Sequence, residues 1–113
     1  MYRIIKTIDV SASHHLDLSY ESKCLQDHGH NWRITIFCKS ENLNKDGMVI
    51  DFSQIKATIS NILDHKNLNE VLKFNPTAEN IAKWVVDTIP HCYKATVKES
   101  EGSIAIYEKN QSK

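Results

Sequence analysis

The segment at residues 24–30 reads Cys-Leu-Gln-Asp-His-Gly-His and places a thiol and two imidazoles close together. If this segment is extended, alternate side chains point to the same face, so His28 and His30 can converge on one ion. The glycine between them adds no side chain that could crowd the backbone. A further imidazole, from His14 or His15, lies upstream, and three histidines with one open position are a common arrangement for catalytic zinc. The pattern therefore predicts a metal site.

The length and the charge balance of the chain limit the kinds of protein it can be. Its 113 residues predict one domain over 1–113, with a small core that association with other copies would enlarge. The 14 basic and 14 acidic side chains balance, and no basic block marks a nucleic-acid interface. No apolar run approaches the roughly 20 residues that span a bilayer, and residues 1–6 lack the apolar stretch of a signal peptide. We therefore expect a cytoplasmic protein whose three cysteines are free thiols.

Alternation of apolar and polar side chains, which is typical of strands, occurs in four parts of the chain. We expect strands at 2–10, 30–39, 92–99 and 103–107. In the third strand the alternation predicts one shared face for Tyr93, Ala95, Val97 and Glu99. The turn between the last two strands contains Gly102, so these strands are predicted to form a hairpin.

A helical period occurs twice in the middle of the chain. It predicts one helix from Asp51 to Leu63 and a second from Thr77 to about Ile89. Asp51 and Thr77 are suitable N-cap residues, because their side chains can accept hydrogen bonds from the first free backbone N–H groups. The remaining connections are expected to be loops at 17–27 and 64–69, with a short continuation strand at 48–50.

The order ββααββ predicts an α+β fold with a four-stranded antiparallel sheet and two helices on one face. This arrangement buries the apolar stripes of both helices against the sheet. The first and last strands would leave open sheet edges with unpaired backbone groups. Pairing with another copy would cover those edges, so the sequence also predicts an oligomer.

Six motifs occur in order along the chain. They are Ser13-His14-His15-Leu16, Cys24-x3-His28-Gly29-His30, Gly47-Met48-Val49-Ile50-Asp51-Phe52, Leu63-Asp64-His65-x2-Leu68-Asn69, Asn75-Pro76-Thr77-Ala78-Glu79 and Lys98-Glu99. Together, and over nearly the whole chain, they resemble the 6-pyruvoyltetrahydropterin synthase superfamily. The three residues between Cys24 and His28 look like its bacterial branch, the 6-carboxytetrahydropterin synthases of 7-deazapurine (queuosine) biosynthesis. The pyruvoyl branch typically has five.

The resemblance implies a zinc ion held by three histidines of this chain, His14, His28 and His30. His15 occupies a position that varies in the family, so His14 is the expected ligand of the pair. A purely structural zinc site would need a fourth protein ligand. The sequence shows none near the three histidines.

The resemblance also implies catalytic and substrate-binding residues. Cys24 corresponds to a catalytic thiol, which can act as a general base only as a thiolate. Asp64 and His65 correspond to a proton relay, in which the carboxylate sets the imidazole tautomer. Glu99 corresponds to the residue that anchors the pterin, because a carboxylate can accept two hydrogen bonds from its N–H edge. The segment Thr77, Ala78 and Glu79 is expected to assist it.

The fold and the reaction that the resemblance implies are specific. The implied fold is the tunnelling fold, in which three protomers close a barrel and two such trimers stack as a homohexamer. The active site then lies between subunits. The implied reaction converts 7,8-dihydroneopterin triphosphate to 6-carboxy-5,6,7,8-tetrahydropterin, with release of acetaldehyde and triphosphate. Two alternatives stay open: a 6-pyruvoyltetrahydropterin synthase, which eliminates triphosphate only, and a non-catalytic zinc- or pterin-binding protein.

Overall fold

The computed structural model describes residues 1–110 and contains five strands and three α-helices in that range. The strands are β1 (Tyr2–His14), β2 (His28–Ser40), β3 (Lys66–Asn67), β4 (Cys92–Ser100) and β5 (Ser103–Glu108). The helices are α1 (Phe52–Leu63), α2 (Leu68–Val71) and α3 (Ala78–Thr88), and a short 3-10 turn spans Lys23–Leu25. The end of the predicted domain, at 111–113, lies outside the described residues.

The sheet has the strand order β3-β1-β2-β4-β5 and is mixed. The four long strands are antiparallel, as predicted, but β3 pairs with β1 in parallel at Ala12 and Ser13. The predicted four-stranded sheet is therefore wrong by one strand. The predicted 64–69 loop and the predicted order ββααββ are wrong because this segment contains β3 and the start of α2, a short third helix. Two residues are too few for an alternating pattern, so β3 left no signal in the sequence.

The first two strands are longer than their apolar patterns predict, and they pair along their whole length. β1 continues to His14 and β2 begins at His28. The apolar patterns do not reach these ends because the ends carry polar residues, which face the candidate site rather than the core. The predicted continuation strand at 48–50 is absent: this segment forms bends.

Both predicted helices and their caps are confirmed. The Asp51 carboxylate accepts a hydrogen bond from the Ser53 N–H at 2.8 Å, and Thr77 Oγ1 accepts one from the Asn80 N–H at 3.1 Å. The helices and the inner face of the sheet form one apolar cluster, in which Ile55 of α1 is fully buried. This core fixes the inner side of β1, β2 and β4, on which the candidate site is built.

A β-bulge in the β2–β4 pair changes which residues of β4 face inwards. The register shifts between Phe37 and Cys38, so Cys92 lies opposite Cys38 and both thiols are buried. Tyr93 instead contacts the Phe37 ring on the outer face, with ring centroids 6.4 Å apart. The predicted face shared by Tyr93 and Ala95 is therefore wrong, because the extra residue of a bulge breaks the two-residue alternation.

The β5 edge of the sheet is open within residues 1–110, in agreement with the prediction of unpaired edges. Ile104 and Ile106 on this strand are 59% and 62% exposed. On the opposite side, β3 covers only two residues of β1. No helix in the described part of the chain has the length and hydropathy needed to cross a membrane.

Candidate metal and catalytic site

Three histidines converge at one end of the sheet. His14 at the end of β1 pairs directly with His28 at the start of β2, and His30 lies two residues further along on the same face. The ring centroids of His14 and His28 are 4.5 Å apart, and those of His28 and His30 are 4.8 Å apart. The Trp32 ring packs beneath them, 4.8 Å from His14. The structure thus brings together the three residues predicted to bind metal.

A fourth potential ligand, Glu99, joins this cluster from β4. Its Oε1 atom lies 3.3 Å from Nε2 of His30, and one ligand atom from each of the four residues lies within 4.8 Å of the others. The expectation of no fourth ligand near the histidines is therefore wrong. Glu99 is far from them in the sequence and reaches them only through the pairing of β2 with β4.

Backbone carbonyl groups orient two of the rings. The Nδ1 atoms of His14 and His28 each lie 2.8 Å from a carbonyl oxygen, that of Pro76 and that of Gln26 respectively. A carbonyl can only accept, so both Nδ1 atoms carry the proton. The Nε2 lone pairs are therefore left for the cluster, an arrangement typical of metal-binding histidines. These carbonyl groups could not be predicted from the sequence, since any residue type can supply one.

Burial favours the neutral form of two of the rings, His14 and His30. His14 is fully buried, and the Nε2 atoms of His14 and His30 are buried without a hydrogen-bond partner in residues 1–110. Desolvation lowers the pKa of His14 below 6.5 and also lowers the pKa of His30. Neutral imidazole is the form that binds metal, and an unpaired buried nitrogen is costly. The residues present therefore fit a divalent metal ion.

The His15 ring is not part of this cluster and contacts other residues instead. Its Nδ1 lies 3.0 Å from the Asp27 carboxylate, and its Nε2 lies 3.3 Å from the side-chain amide of Asn69. Asp27 immediately precedes His28 and also accepts a hydrogen bond from the Asn67 side chain at 3.3 Å. His15 therefore ties the end of β1 to the segment that carries His28.

Cys24 lies in the 3-10 turn and is half-buried. Its backbone N–H donates to Ser22 Oγ at 3.2 Å, and its carbonyl accepts from the Leu16 N–H at 2.6 Å. These bonds hold the turn beside the chain that leaves β1.

Asp64 and His65 follow α1 and pair with the edge of β1. Asp64 Oδ1 accepts a hydrogen bond from the Ser11 N–H at 2.9 Å, and Asp64 Oδ2 lies 3.6 Å from His65 Nε2. The His65 side chain is 83% exposed, and its backbone φ of 58° lies in the left-handed region. For a residue with a Cβ this conformation is uncommon and is enriched at functional sites.

A cavity of about 700 Å³ connects the predicted proton-relay residues with two residues of the histidine–glutamate cluster. Its lining includes Asp64 and His65 on one side and His30 and Glu99 on the other. Two ion pairs, Arg33 with Asp9 and Lys98 with Glu101, complete its rim.

The remaining predicted residues lie outside this lining. Cys24 is in its own turn, and the segment at 77–79 begins α3. That segment approaches the histidine cluster through its neighbour Pro76, whose carbonyl accepts a hydrogen bond from His14. A single protomer therefore presents the relay residues and Glu99 in one cavity, but not Cys24.

Comparison with known sequences gives the following matches. The family model described as 6-pyruvoyl tetrahydropterin synthase matches residues 3–112. A protein named 6-carboxy-5,6,7,8-tetrahydropterin synthase from Synechocystis sp. is 35% identical over 121 aligned positions, covering 95% of this chain and 93% of its own. A protein of the same name from Bacillus subtilis is 25% identical, covering 94% and 84% of the two chains.

Comparison with solved structures gives the same result for the fold. The Caenorhabditis elegans 6-pyruvoyl tetrahydropterin synthase superimposes with a TM-score of 0.75 at 25% identity. The match covers 96% of each chain, so the sheet and helices described above correspond over nearly their whole length.

Proposed function

The chain belongs to the 6-pyruvoyl tetrahydropterin synthase family, and from this premise we propose that it is a zinc-dependent 6-carboxy-5,6,7,8-tetrahydropterin synthase. The proposed reaction converts 7,8-dihydroneopterin triphosphate to 6-carboxy-5,6,7,8-tetrahydropterin, acetaldehyde and triphosphate, as a step in 7-deazapurine biosynthesis. The observation that carries the proposal is the convergence of His14, His28 and His30 beside a cavity that also contains Asp64 and His65.

We propose that the three histidines hold zinc through their Nε2 atoms. When bound, zinc would act as a Lewis acid toward a side-chain hydroxyl of the substrate and make its proton easier to remove. The chain supplies the orientation: the carbonyl groups of Pro76 and Gln26 keep two rings in the tautomer that exposes Nε2.

We assign the proton-transfer steps to Cys24, Asp64 and His65. Asp64 is fixed by the Ser11 N–H and faces the His65 ring, so it can stabilise the charged imidazolium form of His65. Cys24 is assigned the role of general base, which requires its thiolate form. Glu99 is assigned to the N–H edge of the pterin, with Thr77, Ala78 and Glu79 as assisting residues.

The proposed active site lies between subunits of a homohexamer built from two trimers. Two features of the protomer support this. Cys24 lies outside the cavity that contains the relay, and the His65 ring is largely exposed. The open β5 edge, with exposed Ile104 and Ile106, offers the surface along which a second copy can pair. The cytoplasmic location expected from the sequence remains a prediction.

A second candidate, a non-catalytic metal-binding protein, is favoured by one observation. Glu99 gives the cluster four protein ligands, which is the number typical of structural zinc sites. Against this candidate, His65 and Asp64 form a pair at the same cavity that a structural site does not need.

Product analysis with 7,8-dihydroneopterin triphosphate tests the proposal. We expect acetaldehyde and triphosphate to appear in equal amounts from the zinc-loaded protein. Triphosphate without acetaldehyde would identify the 6-pyruvoyltetrahydropterin synthase activity instead. Release of neither product by zinc-loaded, pterin-bound protein would favour the metal-binding candidate.

A further inference from the structure

The contact between His30 and Glu99 has an unusual geometry. Nε2 of His30 and Oε1 of Glu99 are 3.3 Å apart, which is close to hydrogen-bonding distance. Yet Nε2 of His30 is buried and has no hydrogen-bond partner within residues 1–110. The two polar atoms are therefore adjacent without being aimed at each other, as expected when two ligands face a common point between them.

The separation itself fits a shared ion. Zinc binds imidazole nitrogen and carboxylate oxygen at about 2.0–2.2 Å, so two ligands at a tetrahedral angle are about 3.3–3.5 Å apart. The distance between His30 and Glu99 falls in this range. The ligand atoms of His14 and His28 complete the same group of four.

Glu99 differs from two of the three histidines, His14 and His28, in how firmly it is held. His14 and His28 are each fixed by a backbone carbonyl. No group in the described range donates a hydrogen bond to the Glu99 carboxylate, and its side chain is 26% exposed at the cavity wall. Glu99 can therefore leave the cluster by rotating its own side chain, whereas the anchored rings cannot move without breaking hydrogen bonds.

We infer that Glu99 is an exchangeable fourth ligand, bound to the metal in the substrate-free protein and released from it when a pterin enters the cavity. This inference rests on the proposed function, because the N–H edge of the pterin is the partner that takes up the released carboxylate. The exchange opens one metal position only when the ring is present. The substrate's side-chain hydroxyl can then occupy the open position. The same four residues thus form a closed site at rest and an open one with substrate.

The first experiment asks whether Glu99 is a ligand at all. Co²⁺ replaces zinc, and its visible absorption reports the number and type of ligands. We expect the spectrum of the wild-type protein to differ from that of Glu99→Gln, whose metal affinity should fall at least about 10-fold in a chelator competition. Glu99→Asp serves as a second variant, and its shorter side chain should also change the spectrum.

A matched control is Glu101→Gln, which removes a carboxylate two residues away that pairs with Lys98. It should leave the Co²⁺ spectrum and the affinity unchanged. Identical spectra for wild-type protein and both Glu99 variants would overturn the inference.

The second experiment asks whether Glu99 is released. The probe is pterin without a side chain, which carries no hydroxyl that could reach the metal. Quenching of the pterin fluorescence shows when the protein is saturated. Saturating pterin should shift the wild-type Co²⁺ spectrum toward that of Glu99→Gln and leave the variant's spectrum unchanged. An unchanged wild-type spectrum with pterin bound would show a permanent ligand and overturn the exchange, as would failure of pterin to bind. If only the proposed reaction is wrong, both spectral results stand while acetaldehyde is missing.

Discussion

Nδ1 of His14 donates a hydrogen bond to the carbonyl oxygen of Pro76 at 2.8 Å. This bond links the last residue of β1 to the segment that starts α3. It fixes the tautomer of a fully buried ring, so Nε2 of His14 faces the other histidines as a lone pair. The motif around Pro76 therefore supports the proposed metal-binding cluster directly, in addition to any contact that its neighbours make with substrate.

Removal of any one of the three proposed zinc ligands should have a different result from removal of His15. His14→Ala, His28→Ala and His30→Ala should each lose tightly bound zinc, because each deletes a ligand of the cluster. His15→Ala should keep zinc, because its ring contacts Asp27 and Asn69 instead. Elemental analysis of the purified proteins measures the zinc content. Loss of zinc from the His15 variant with retention in the His14 variant would show that the ligands are misassigned.

The sequence predicted this site well where the pattern is local. The spacing of His28 and His30 identifies a shared strand face, and Asp51 and Thr77 act as caps that accept hydrogen bonds from backbone N–H groups only a few residues away. Contacts between distant segments were missed. The approach of Glu99 to His30 depends on the pairing of β2 with β4, whose register no single strand encodes.

Two further features could not be predicted from the strand alternation for the same reason. The bulge that buries Cys92 is a property of two paired strands, and the two-residue β3 exists only because the chain after α1 returns along β1. Strand alternation describes a strand by itself and contains no information about its partner's register.

His65→Asn should separate the chemistry of the imidazole from the backbone strain at this position. Asparagine tolerates the left-handed conformation that His65 adopts, so the fold should be unchanged. Loss of a proton-transfer group typically lowers kcat by about 10²- to 10⁴-fold. We expect such a loss with an unchanged melting temperature and full zinc content. Wild-type kcat in this variant would remove His65 from the proposed relay.

The metal-free protein should become less stable as the pH falls below about 6.5. Burial lowers the pKa of His14 below 6.5, its value in the unfolded chain, so between the two pKa values the unfolded state binds more protons. The stabilisation is fully present above pH 6.5 and is lost as the pH falls through the lowered pKa. Urea unfolding in the presence of a chelator at pH 7.5 and 5.0 measures it.

His14→Gln is the control for this effect. It removes the buried ionisable group, so the difference in stability between the two pH values should be smaller than in the wild-type protein. His30, whose pKa is also lowered by burial, should account for part of the remainder. An equal difference in both proteins would show that His14 does not cause the loss.

The assembly should depend on the exposed edge strand. The protein should sediment as a hexamer, or at least as a trimer, and Ile106→Lys should shift it toward the monomer by placing a charge on the β5 surface. Lys45→Glu, an exposed charge change in a loop, should have no effect. Analytical ultracentrifugation gives the masses. A wild-type monomer with full activity would contradict an active site shared between subunits.

Cys24→Ala should retain zinc and bind substrate yet lose most of its turnover. Carbon–carbon cleavage needs a proton to leave a hydroxyl so that the side chain can collapse toward a carbonyl, and a thiolate is the proposed acceptor of that proton. Removal of such a base typically costs about 10²- to 10⁴-fold in kcat. The Cys24 backbone, and not its thiol, makes the hydrogen bonds that fix this turn, to Ser22 Oγ and from the Leu16 N–H, so the alanine variant should keep its structure. Acetaldehyde and triphosphate should fall together. Full activity in Cys24→Ala would exclude the thiolate mechanism, whichever product is formed.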